Sequence, residues 1–99
     1  MKLPAFFDDV PRIRVIDPLA DLLGAAEGGV LEYGYPDAVK LSGHSCPTVA
    51  GAFLMTRTAL ARLYPQDMPR RGDVRVELRQ ALDEGVTGVI ASVAGLITG

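Results

Sequence analysis

The sequence predicts a small α+β domain in which helices pack on one face of a small mixed or antiparallel sheet. Three observations carry that expectation. Apolar residues recur at helical spacing from Pro47 to Tyr64, and Val74–Leu78 alternates strictly, as a half-buried strand does. With 48% apolar and 22% charged residues in 99, the chain can build one hydrophobic core and is too short for a second domain.

Taken in order, the elements are these. Pro4 and Pro11 bracket an acidic, aromatic lead-in without a clean period, so residues 1–16 are expected to form an arm that packs on something rather than a core element. Asp17 before Pro18 has the form of a helix N-cap with proline at the first helical position. Leu19, Leu22 and Leu23 then follow at helical spacing until Gly28-Gly29 stops them, which predicts a helix of about two turns. Val30–Tyr33 is a short β-like run broken by Gly34-Tyr35-Pro36-Asp37, and Asp37 to Leu41 allows a further helical turn ending near Gly43.

The long helix rests on Val49, Phe53, Leu60 and Leu63 at a 3.6-residue period, with Ala50, Ala52, Met55 and Ala59 filling in and Arg57 and Arg62 off the stripe. Pro65 ends it. The polar loop from Pro65 to Asp73 leads into Val74–Leu78, whose Val74, Val76 and Leu78 are expected to face the core. The last segment sends two signals: many of its residues are β-branched, yet Val86, Val89, Ile90, Val93, Leu96 and Ile97 fall at helical spacing. We read it as a buried helix, because Gly88, Ala91, Ala94 and Gly95 permit close packing. The whole chain, 1–99, is one domain, with an arm over 1–16 and an α+β core over 17–99.

Charge and composition exclude several functions. Ten basic and twelve acidic residues leave a net charge of −2, so no strong field attracts a phosphate backbone or an anionic lipid surface, and neither nucleic acid nor membrane is an expected partner. Arg70-Arg71, with Arg75 and Arg79, carry no interleaved aromatics and read as solvated surface. The most apolar stretch, Val86 to Ile97, falls short of the roughly 18 residues of a membrane span. A single cysteine excludes an internal disulfide, and the first seven residues are too few for a secretory signal, so a reducing cytoplasm is the expected compartment.

Site chemistry is concentrated in Gly43-His44-Ser45-Cys46-Pro47. The only histidine and the only cysteine stand two apart, immediately before the proline that suits the first turn of the long helix. Unpaired N–H groups and the positive end of the helix dipole would face this segment, which favours a thiolate and binds anions. One thiol and one imidazole are also half of a zinc-type ligand set. The competing structural reading is a cysteine packed as a small hydrophobe beside a histidine that caps a turn.

At these residues the chain resembles the family of the E-type accessory subunits of formylmethanofuran dehydrogenase and their stand-alone relatives. That family carries Gly-His-x-Cys-Pro-Gly at the start of a long helix, then a strand and a second helix with small residues. Here the corresponding segments are Ser42-Gly43-His44-Ser45-Cys46-Pro47-Thr48, the helix to Tyr64, Val74–Leu78, and Glu84 to Gly99. Ser42 stands where the family often has a second histidine, Thr48 where it usually has glycine, and Asp83-Glu84-Gly85 keeps an acid of the family's Asp-x-Cys pair but not its thiol. The resemblance implies a core like that of the family, with a sheet that is incomplete on the C-terminal side. It also implies a divalent metal, zinc before nickel or cobalt, held by His44, Cys46 and Asp83.

The expected function is thus a metal- or thiol-dependent accessory domain. The alternative is a non-catalytic assembly module, or a binder of a small molecule or anion, in which the turn is structural. A homodimer is expected as well, since two apolar helices and so little sheet leave hydrophobic surface and strand edges to cover.

Overall fold

The chain enters its core through a strand rather than through an arm. In the computed structural model, which describes residues 3–81 and 85–99, β1 (Ile13–Ile16) pairs antiparallel with β2 (Val30–Tyr33), from Ile13 opposite Tyr33 to Ile16 opposite Val30. Ile13 and Val15 are buried, while Arg12 and Arg14 on the other face reach Glu32 at 3.0 and 3.5 Å. This alternation lies inside the stretch expected to be an arm. It spans only four residues directly after the Pro11-Arg12 pair, too short a run to outweigh the irregular lead-in. A 3₁₀ turn, Ala5–Asp9, precedes the strand and buries Phe7.

Between the strands sits α1 (Pro18–Leu22), capped as its sequence predicts: Asp17 Oδ1 accepts from the N–H groups of Leu19 and Ala20 at 3.0 and 3.2 Å. It is shorter than expected. Gly24, at φ +72°, opens a turn in which the Ala25 N–H reaches back to the Ala20 carbonyl, so the helix ends before Gly28-Gly29 rather than at it. Gly29 has a different task. The Asp17 N–H donates to the Gly29 carbonyl at 2.7 Å, and at φ +74° a Cβ on residue 29 would lie 2.5 Å from the Asp17 carbonyl oxygen, so only glycine closes the pair of strands here.

Three longer helices complete the chain. In α2 (Tyr35–Ser42), Asp37 reaches back to the Gly34 N–H at 2.8 Å, and Gly43 closes the far end in the left-handed conformation at φ +80°. The long helix α3 (Pro47–Leu63) starts at the predicted proline and ends one residue before the expected Tyr64, which caps it. The doubtful final segment is helical: α4 (Thr87–Thr98) buries Val93, Ala94 and Ile97, so spacing prevailed over β-branching. Helices α2, α3 and α4 pack on one another and enclose Val39, Val49, Phe53, Val93 and Ile97, with Ile13 and Val15 of β1 in the same core. Among the described residues the architecture is four α-helices and one two-stranded antiparallel sheet, and none of these helices is long and apolar enough to cross a membrane.

Val74–Leu78, expected as a strand of the sheet, forms none. Only Val74 packs against the core, while Val76 and Leu78 are exposed. A strand needs a partner edge, and residues 69–71 take the end of β1 instead: the Ile16 N–H donates to the Pro69 carbonyl, and the Arg71 N–H to the Ile16 carbonyl, each at 2.8 Å. Gly72, at φ +93°, then turns the chain, and its N–H binds the Thr98 carbonyl at the end of α4.

The basic cluster divides in the same place. Arg70 pairs with Asp73 at the surface, but Arg71 is a clamp rather than solvated surface. Its guanidinium lies 2.9 Å from Asp17 Oδ2 and donates to the Leu96 carbonyl at 3.0 Å, with the Tyr33 ring centroid 5.9 Å away. This one side chain ties together the start of α1, the end of α4 and the sheet.

Candidate functional site

Two helix ends meet at the His44-Ser45-Cys46 loop. Gly43 ends α2, and Pro47 starts α3 after Cys46, which takes the extended N-cap conformation at φ −155° and ψ 169°. The Cys46 carbonyl accepts the first α3 hydrogen bond, from Ala50 at 3.0 Å. The loop is held from below by Tyr35, the first residue of α2. Tyr35 is buried with its ring edge-on to Phe7 and Phe53, at centroid distances of 5.1 and 5.8 Å, and its hydroxyl meets Ser45 Oγ at 2.7 Å. A buried phenol needs a partner, and finding it in Ser45 fixes the loop to the core.

His44 and Cys46 flank that anchor. His44 is exposed, and its Nδ1–H donates to the Ser42 carbonyl at 3.1 Å, since a carbonyl only accepts; Nε2 is the ring nitrogen left open. Cys46 is half-buried against the core. The Val49 N–H, then the Thr48 N–H and His44, hold its thiol below the ordinary thiol range, against the partial burial that pushes it up. Neither N–H closes a full cap hydrogen bond onto Sγ, so the sulfur is stabilised by dipoles facing it rather than by a formed bond. The arrangement thus offers a partly accessible thiol whose ionised form is favoured, with an imidazole beside it. It can act as a nucleophile or as a soft ligand.

The structure brings together two of the three residues expected to hold a metal. Asp83 lies outside the described residues. His44 and Cys46 are two donors where a closed tetrahedral centre takes four, and no group of three or more His, Cys, Asp and Glu side chains that could hold a metal occurs among the described residues. The described donors of one chain therefore do not make up a metal centre. The sequence places Ser45 in the site run and Tyr35 in a turn, but does not show that the two meet. Their hydroxyl contact joins positions ten apart across a helix, and no periodicity marks such a pair.

Compared with protein-family models, with curated proteins and with solved structures, the chain matches none.

Proposed function

We propose that this chain is a thiol-dependent accessory domain, of the kind implied by its resemblance to the E-type accessory subunits of formylmethanofuran dehydrogenase, working in a reducing cytoplasm. The observation that supports it is the setting of Cys46: half-buried at the N-cap of a 17-residue helix, facing two backbone N–H groups, with an acidified thiol and an adjacent imidazole. The Tyr35–Ser45 hydrogen bond gives the loop a fixed geometry, which a reactive or ligating thiol needs.

A metal reading has one observation of its own in its favour. With Nδ1–H engaged by a backbone carbonyl, Nε2 is the His44 nitrogen open to a metal, the arrangement usual for metal-binding histidines. In that reading zinc, or else nickel or cobalt, takes further donors from Asp83 or from another chain.

Alkylation of Cys46 as a function of pH tests the thiol reading, and cobalt spectroscopy tests the metal. The alkylation rate should follow an apparent pKa below the free-thiol value of about 8.5, and His44→Ala should move it upward. A profile like that of a free thiol, or a folded protein that resists alkylation, would make this turn structural. A thiolate-to-cobalt absorption band that is lost in Cys46→Ser would establish the metal reading, and spectra that do not change with that substitution would remove it.

A further inference from the structure

The molecule carries an apolar projection and an apolar recess of matching character. The projection is α1. Leu19 and Leu22, with Leu23 at its C-cap, remain largely bare at 60, 80 and 72% exposure, and the acidic side chains of Asp21 and Glu27 stand exposed beside them. Neither acid makes an ion pair among the described residues, whereas Asp17 is taken by Arg71.

The recess is a groove of about 290 Å³ between α3, α4 and the 74–78 segment, lined chiefly by Met55, Leu63, Val76, Leu78 and Ile90. Among the described residues its borders carry arginines, and Glu77 is the one acid that lines it. Arg62 is exposed on α3 next to Leu63, and Arg79 lines a smaller hollow that shares Leu78 and Ile90 with the groove. Arg75 lies on the groove wall with its charge offset by Glu77 at 2.8 Å.

Both features flank the C-terminal end of α4. Thr98 lines the groove, and Leu19 lies in a hollow with Gly99 and Arg71. The projection cannot fill its own chain's recess, since both are exposed in the same molecule. In a two-fold pair each copy offers its projection and its recess to the other, so the contact is made twice.

We propose that the groove receives the leucine face of α1 from a second copy of this chain. Asp21 and Glu27 then approach Arg62 and Arg79, so charge sets the register while the leucines are desolvated. The reciprocal contact buries the apolar surfaces of both copies together, and the unpaired 74–78 segment serves as a wall of the binding groove instead of a strand in a sheet.

Sedimentation velocity of the full chain over a range of concentrations tests this. The wild-type protein should form a dimer. Leu22→Glu on the projection and Leu63→Glu at the groove should each weaken it about tenfold or more, with circular dichroism unchanged because both side chains are exposed. Asp21→Arg should weaken it less, and the added Arg62→Asp should restore part of the loss. An equimolar mixture of Leu22→Glu and Leu63→Glu should form mixed dimers, since one intact projection and one intact groove remain. A wild-type monomer at every concentration, or a dimer indifferent to all these substitutions, would overturn the proposal.

Discussion

Helices α1 and α3 announce themselves in the same way, with apolar residues at helical spacing behind a proline, and meet opposite fates. Helix α3 buries Val49, Ala52, Phe53 and Leu60 against α2 and α4, whereas α1 leaves Leu19 and Leu22, and Leu23 at its C-cap, bare. The difference lies in what stands opposite. Seventeen residues give α3 a stripe long enough to meet two other helices. Helix α1 is five residues closing a strand pair, held by its cap and by Arg71, and neither anchor turns its leucine face inward. Helical spacing therefore reports amphipathicity faithfully, but not whether the same chain covers the apolar face.

The sharpest way to probe this comparison is to remove the centre of the buried stripe. Phe53→Ala, at a fully buried position, should cost about 3–5 kcal/mol in chemical denaturation, because lost burial and an unfilled cavity add. A cost near that of a surface change would mean that α3 is not the core helix described.

Next in size is the clamp that holds α1 in place without burying it. Arg71→Ala removes the Asp17 ion pair and leaves the Leu96 carbonyl without its guanidinium partner, and should lower the melting temperature by about 5 °C. Its pH dependence has a definite sign. The hydrogen bond from Arg71, with those from the Ala20 and Leu19 N–H groups, holds the Asp17 carboxyl below its ordinary value. A lowered folded-state value contributes stability that is complete above the ordinary aspartate pKa of about 3.9 and is lost as pH falls through the lowered value. The gap between wild type and Arg71→Ala should therefore narrow on acidification through that range. A gap independent of pH would assign the clamp to the Leu96 contact alone.

The smallest effect belongs to the bare face itself. In dilute solution, where self-association contributes nothing, Leu22→Ser should change stability by no more than about 0.5 kcal/mol. A larger loss would mean that the α1 leucines are covered within one chain, and the contrast with α3 would disappear.

Much of this molecule follows from local chemistry. Asp17-Pro18 caps and starts α1, Pro47 and Pro65 bound α3, Val30–Tyr33 is a strand, and the small residues between Val86 and Ile97 let a β-branched segment form a helix. These features depend on neighbours a few residues apart, and sequence spacing records such neighbours directly. The His44–Cys46 pair before Pro47 belongs to the same class, since a helix start is a local event.

Tertiary structure decided the rest, because each remaining feature depends on which distant edge or side chain is already taken. Val74–Leu78 alternates like a strand, yet Pro69–Arg71 meets the end of β1 and Gly72 carries the chain away. Arg71 has the composition of a surface cluster and the position of a clamp, because Asp17 and Leu96 converge on it from 54 and 25 residues away. Tyr35 becomes part of the candidate site only because the packing of Phe7 and Phe53 aims its hydroxyl at Ser45. A periodic pattern states what a segment can bury or pair; the fold determines whether a partner is there to meet it.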